Sequence, residues 1–389
     1  MNKTPKDAAG FYTEAGCDLS DFVALTRQQT APETVPMAAE VSHKIPVYDM
    51  AQRRDMLEKP LTRRALMAEW AQVLQHGAGV FVLRHAYADT SVIDAATALY
   101  DRIIADEKVA KGTAADHFAA AGSNDRIWNS LQKLCEADPD VFVRYFANPT
   151  IDAACEAWLG PNYQMTAQVN VVHPGGSAQQ AHRDYHLGFQ TTQACAAYPA
   201  HVHDLSPLMT LQGGIAHGAT PLESGPTKLL PFSQRYRPGY TAWRRDDFRS
   251  YFEEHHVQLP LEKGDALFFN PALFHAAGSN SSRDIHRMVN LLQVSSPFGR
   301  AMETVDRTKT SLLAFGSLKD LPLADAELHA AIAATAEGYP FPTNLDNDPP
   351  VGGLAPPSQQ DVLKTAIAES WDQPRLEAAL KAQEARKTA

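Results

Sequence analysis

A mainly β fold, with a sandwich or barrel core and helices at both ends, is the class this sequence predicts, and three observations predict it. Between about residues 163 and 297, short β-prone runs alternate with turns rich in Gly, Pro, Ser and Asn. Before that stretch the apolar residues recur at helical spacing, and after residue 310 they do so again.

The elements follow in order. The first forty-odd residues are polar and mixed, which predicts a short helix and a surface arm. From Thr62, "TRRALMAEWAQVLQHGAG" sets Leu66, Met67, Trp70, Val73 and Leu74 on one helical face and offers Gly77 as a stop. "GVFVLRH" reads as a strand. "DTSVIDAATALYDRIIADEK" returns to helix, with Val92, Ile93, Ala96, Leu99, Tyr100, Ile103 and Ile104 as its apolar stripe. The strands of the middle are "QMTAQVNVVH", "LMTLQGGIAH", "HHVQLPL", "DALFFN" and "RMVNLLQVS". The tail is helical, interrupted by "YPFPTNLDNDPPVGGLAPP", a loop expected to pack over the body through Tyr339, Phe341, Leu345 and Leu354. One domain is expected over 1–389. Its helical part runs to about 160, the β core over about 161–300, and a helical extension over about 301–389.

Composition narrows the partners. The chain has 389 residues, 44% hydrophobic and 21% charged, with a formal charge of −10 and no long basic run. Nucleic acid and an anionic membrane surface both need Lys/Arg clusters, so neither is expected. A small anionic substrate needs only a few local cations and stays open. The N-terminus lacks the apolar core of a signal peptide, and no apolar run has the length of a membrane span. Cys17, Cys135, Cys155 and Cys195 are scattered without a CxxC pair, so free thiols in a cytoplasmic protein are expected. Oligomeric state is not legible.

The chemistry concentrates in "QQAHRDYHLGFQ". On a strand, residues i and i+2 share a face, so His182 and Asp184 can converge on one ion. A third ligand is best sought at a later strand end, and "GDALFFNPALFH" offers His275 about ninety residues on. Two imidazoles and one carboxylate on one face leave open positions, the arrangement of non-haem Fe(II) oxygenases. Arg287 opens the strand "RMVNLLQVS", where a planar fork of donors suits a carboxylate. A 2-oxo diacid would chelate the iron at one end and anchor its distal carboxylate on that arginine.

These residues resemble the phytanoyl-CoA dioxygenase family of Fe(II)/2-oxoglutarate oxygenases. The resemblance rests on "HRDYH", on "ESGPTKLLPFSQR", on "GDALFFNPALFHAAGSNSSRDIHR" and on "GVFVLRH" followed by a helix, and spans roughly residues 70 to 300. It implies a double-stranded β-helix, or jelly-roll, core. It also implies Fe(II), 2-oxoglutarate and O2 as cofactors, and oxidative decarboxylation to succinate coupled to hydroxylation of an unactivated C–H in a small molecule. The family's arginine is expected one residue before Arg287, so Arg283 stands as its rival. The tail after about residue 310 has no counterpart in the family. Relatives that halogenate look as though they replace the aspartate with a small residue, so the presence of Asp184 favours hydroxylation or desaturation.

Other residues carry weaker readings. Gln168 and Asn170 share a face of the preceding strand, where they could hydrogen-bond 2-oxoglutarate or serve as ordinary sheet polar residues. His186 fits a substrate-facing or supporting role better than a ligand's. Arg126 and Trp128 are read first as helix packing, second as the substrate mouth. His201, His203, His217, His255 and His256 read as surface or satisfied histidines, and "RRDDFR" as a solvated charged stretch. "HRD" also opens a kinase catalytic loop, but Phe189 stands where its asparagine belongs and no DFG follows. A zinc hydrolase would want H-E-x-x-H, which is missing. A non-catalytic jelly-roll binder is the remaining alternative.

Overall fold

The computed structural model describes residues 10–111 and 123–388. Residues 1–9 of the expected surface arm lie outside that set. Among the described residues there are ten strands: β1 (Glu40–Ser42), β2 (Ile45–Asp49), β3 (Val80–Arg84), β4 (Asn124–Ile127), β5 (Gln164–Val172), β6 (Thr210–Ala216), β7 (Lys228–Leu229), β8 (Ala266–Phe269), β9 (His275–Ala276) and β10 (Arg287–Ser295). Eight form one sheet in the order β1-β2-β3-β8-β6-β10-β5-β4, and β7 pairs with β9 in a second. β2 runs parallel to β3, and the remaining pairs are antiparallel.

β10 makes the longest pairings in the large sheet. It pairs with β5 from Arg287↔Val172 to Ser295↔Gln164, and with β6 from Val289↔Ala216 to Ser295↔Thr210. Strand alternation then sorts its side chains onto two faces. Met288, Leu292 and Val294 join Met165, Ala167, Val169 and Val171 of β5 and Leu211 and Ile215 of β6 in the main apolar cluster. Arg287, Val289, Leu291 and Gln293 take the opposite face and line a cavity. β5 is buried from Met165 through Val172, because both of its faces are covered.

Helices cover the first face. Those at Pro60–Gln75, Ser91–Lys111, Ser130–Ala137, Pro139–Phe146, Pro149–Leu159, Arg307–Asp320 and Asp325–Thr335 contribute Trp70, Tyr100, Leu131, Phe142, Ile151, Phe315 and Ile332 to the same cluster. Each such side chain, once buried, contributes about 1.5–3 kcal/mol. Asn148 starts the helix Pro149–Leu159. Its Oδ1 accepts from the Thr150 and Ile151 amides at 2.9 and 3.2 Å, and its Nδ2 donates to the Ala86 carbonyl at 3.1 Å. A separate cluster around Phe22, Tyr236, Phe248, Phe252 and Phe274 packs the helix Asp246–His255 against β9.

Four expectations are corrected. The chain is 47% helical, so "mainly β" gives way to a large mixed sheet with flanking helices. Part of the excess falls inside the predicted β core, at Thr192–Ala196, Ala200–Leu208, Gly239–Ala242 and Asp246–His255. "HHVQLPL" is no strand: the His255 end belongs to a helix, and Val257 makes only an isolated bridge to Leu229. "RRDDFR" is the start of a helix whose Phe248 and Phe252, four residues apart, are both fully buried. In the proline-rich loop, Phe341, Leu345 and Leu354 are exposed, while Tyr339 meets Phe298 and stacks with Phe341. The four cysteines are buried and free. Among the described residues no helix is long and apolar enough to cross a membrane.

Candidate metal centre and its cavity

His182 and Asp184 lie in no regular strand, contrary to expectation, yet the expected geometry survives. His182 bridges antiparallel to His275 of β9, amide to carbonyl in both directions at 3.0 and 3.2 Å, and the Asp184 amide donates to the Pro271 carbonyl at 2.9 Å. This pairing holds residues 182–184 extended, so alternation still applies. His182 and Asp184 face the cavity. Arg183 between them turns away and donates through Nη2 to the carbonyls of Ser233 and Tyr236 at 2.7 and 2.8 Å.

The three candidate ligand atoms face one another. His275 Nε2 stands 3.4 Å from Asp184 Oδ2, and His182 Nε2 stands 3.7 Å from it. Both imidazoles are oriented by the backbone. His182 Nδ1 lies 2.9 Å from the Gln180 carbonyl, and His275 Nδ1 lies 2.8 Å from the Leu273 carbonyl. A carbonyl only accepts, so each Nδ1 carries the proton and each neutral Nε2 presents its lone pair to the centre. Gln212 of β6 donates to Asp184 Oδ2 at 2.7 Å and holds the carboxylate.

Electrostatics keeps Asp184 and His275 ready as ligands. Burial opposes ionisation of Asp184, but the two histidines outweigh it and hold the carboxyl well below its usual range. Burial also lowers His275, helped by His182 beside it. His182 goes the other way, because Asp184 outweighs its burial. An ionised carboxylate and neutral histidines are what a divalent ion requires. Divalent first-row ions bind N and O at about 2.0–2.2 Å, which puts two ligands at right angles roughly 3 Å apart. The cluster therefore fits such an ion with little movement.

A second cluster of the same residue types fails that test. Asp152, Glu156 and His329 also converge, but Arg63 bonds Asp152 at 2.8 Å and Glu156 at 2.6 Å, and Tyr163 donates to Asp152 at 2.8 Å. A guanidinium already neutralises those carboxylates, so they form a structural ion-pair network.

The His182 cluster opens into a cavity of about 820 Å³. Arg287 is 6% exposed and lines it, with Nη1 donating to the Ser224 carbonyl at 3.0 Å. Burial pushes its pKa down to about 10, so it stays charged at neutral pH. Arg283 is exposed and does not line the cavity. Gln168 and Asn170 of β5 both line it. Gln168 accepts from Arg126 Nη1 at 3.2 Å, and Asn170 Oδ1 is buried without a partner. Arg126 and Trp128 also line it, on and just after β4, where helix packing had been the first expectation.

His186 stands apart. Tyr185 and His186 have φ of 50° and 48°, a left-handed turn that breaks the alternation directly after Asp184. His186 is exposed, and its Nε2 meets Thr210 Oγ1 at 3.3 Å. Sequence reasoning missed Gln212, Gln293 and Tyr185. Gln212 and Gln293 are direct cross-strand partners, and Tyr185 donates to Gln293. The period-2 rule that picked out Gln168 and Asn170 would have found both glutamines.

The model of the family described as phytanoyl-CoA dioxygenase matches residues 75–289, a span that includes the whole of this cluster and Arg287. The chain belongs to the phytanoyl-CoA dioxygenase family. With the family come its cofactors, iron(II), 2-oxoglutarate and O2, and the His-Asp-His cluster suits the first of them. Among curated proteins none matches the chain.

Several solved structures are similar. One is the non-heme alpha ketoglutarate dependent epimerase SnoN from nogalamycin biosynthesis, at 17% identity over 68% of this chain and 91% of that one, with a TM-score of 0.41. Another is the carbocyclase SnoK from the same biosynthesis, at 19% identity over 62% and 89%, with a TM-score of 0.45. EvdMO1 is similar at 15% identity over 59% and 50%, with a TM-score of 0.42.

Proposed function

We propose that this family member hydroxylates an unactivated C–H of a small molecule while converting 2-oxoglutarate to succinate. His182, Asp184 and His275 hold the iron, and Arg287 holds the distal carboxylate of the co-substrate. The observation that carries the reading is one cavity containing three convergent ligand atoms and, on β10, a buried arginine. Iron, when bound, supplies the site at which O2 and the 2-oxo acid react.

The protein's own residues do the positioning. Gln180 and Leu273 carbonyls fix the two imidazole rings, and Gln212 fixes the carboxylate. Ser224 steadies the Arg287 fork through one donor, which leaves others for a carboxylate. Gln168 and Asn170 offer hydrogen bonds to the co-substrate from the face of β5 that lines the cavity. Asp184 fills the position that a halide would need, which favours hydroxylation. The large sheet and the β7–β9 pair, joined through the His182–His275 bridge, are read as the two sides of a jelly-roll within one domain.

The test is turnover. Iron-loaded, ascorbate-protected protein with O2 and 2-oxoglutarate should release succinate slowly without substrate, and faster with a substrate that is recovered hydroxylated. No succinate under any condition would favour a non-catalytic jelly-roll binding protein.

A further inference from the structure

Among the described residues, five arginines touch the cavity (Arg126, Arg183, whose side chain turns away from it, Arg244, Arg249 and Arg287) against a single carboxylate, Asp184, in a chain whose formal charge is −10. Three are accounted for. Arg287 is assigned to the co-substrate, Arg183 bonds two backbone carbonyls, and Arg126 bonds Gln168. Arg244 and Arg249 are left.

These two share one tryptophan. The Arg244 guanidinium carbon lies 3.8 Å from the Trp243 ring centroid, and that of Arg249 lies 5.8 Å from it. No described carboxylate pairs with either. Burial and then the neighbouring Arg249 charge lower the Arg244 pKa. Glu14 borders an outer groove that Arg244 also lines, but the two form no ion pair. Arg244 donates only to the Gly188 carbonyl, at 3.3 Å, and the Arg249 side chain has no hydrogen bond.

The unmet donors coincide. Trp243 Nε1, Arg244 Nη1 and Arg249 Nε are all buried without an acceptor, and all three residues line the cavity. Buried donors without acceptors are costly, and two like charges over one ring add to that cost. A bound anion removes both penalties together, since a carboxylate or phosphate accepts from a guanidinium fork in two places.

Resting on the proposed function, we propose that Arg244, Arg249 and Trp243 form the substrate's anion subsite. The substrate is then a small molecule carrying a carboxylate or phosphate, distinct from the 2-oxoglutarate held by Arg287. The subsite comes from the helix Asp246–His255 and the turn before it, so it belongs to the helices inserted between β7 and β8.

The test uses full-length wild type, Arg249→Gln and the double variant Arg244→Gln/Arg249→Gln, with folding checked by circular dichroism and thermal melting. Phenylphosphate, benzoate and benzyl alcohol are titrated calorimetrically at fixed ionic strength. At least one oxyanion should bind wild type more tightly than benzyl alcohol does, and lose about tenfold or more in the double variant, as expected for charge-assisted hydrogen bonds. The tighter of the two identifies the class. Oxyanions that bind wild type no better than benzyl alcohol, or bind the double variant as they bind wild type, overturn the inference. A 2-oxoglutarate titration of Fe(II)-loaded wild type is run alongside. Its failure strikes at the proposed function, whereas loss of the oxyanion preference strikes at this subsite.

Discussion

Replacing Arg287 with alanine removes the cation assigned to the distal carboxylate of 2-oxoglutarate, and the structure allows the cost to be worked. The side chain is 6% exposed and stays protonated at neutral pH, although burial pushes it down to about 10. A charge-assisted hydrogen-bonded pair in such a place is worth about 1.5–3 kcal/mol. That is roughly a ten- to hundredfold loss of affinity, at ~1.4 kcal/mol per factor of ten. The variant should keep its iron, because the Ser224 carbonyl is Arg287's one hydrogen-bond partner and no ligand leans on it. Arg287→Lys keeps the charge but not the fork, and should fall between wild type and alanine. Arg283 is exposed outside the cavity, so Arg283→Ala should change affinity only a few-fold at most. Anaerobic Fe(II) samples are titrated with 2-oxoglutarate, following the chelate's charge-transfer band. A large loss in Arg283→Ala with none in Arg287→Ala refutes the assignment.

Two further predictions concern stability. His217 is buried between Thr97 Oγ1 at 2.8 Å and Tyr145 OH at 2.9 Å, and burial pushes its pKa down to about 3. Unfolded, it takes a proton near ~6.5, so the unfolded state binds more protons below that pH and stability falls with acidification. At ~1.4 kcal/mol per pH unit, His217 accounts for about 2 kcal/mol of the loss between pH 6.5 and 5. In urea melts His217→Gln should lose correspondingly less over that interval, and an equal loss in both proteins contradicts the reasoning. Asn148→Ala removes a helix cap and strands the Ala86 carbonyl, which should cost about 1–3 kcal/mol by the same melts. A change within error would show that water replaces both roles.

How much of this was legible depended on which residues set the pattern. β5, β6, β8 and β10 were readable because their apolar alternation is long and set by burial on the sheet's helical face. The HxD pair was readable for a related reason, although its premise was off. No strand surrounds His182, but the bridge to His275 imposes a strand's alternation across three residues, after which Tyr185 and His186 break it. The helix Asp246–His255 was masked by its charges. Its signal is only Phe248 and Phe252, one helical turn apart, amid aspartates, arginines and glutamates. "HHVQLPL" has a strand's composition, but only isolated bridges form, Val257 with Leu229 and Leu261 with Thr220. The donors of Arg244, Arg249 and Trp243 were beyond sequence reasoning, because only the fold decides which arginines lack a carboxylate.

The central claim is that His182, Asp184 and His275 together hold the iron, and the most direct measurement is anaerobic iron stoichiometry in single variants. His275→Ala should lose bound iron while remaining folded, since it removes one of three ligands at the end of a short strand. His186→Ala should bind iron as wild type does, because His186 is exposed and bonded to Thr210 instead. Wild-type iron content in folded His275→Ala, or its loss in His186→Ala alone, would contradict the account.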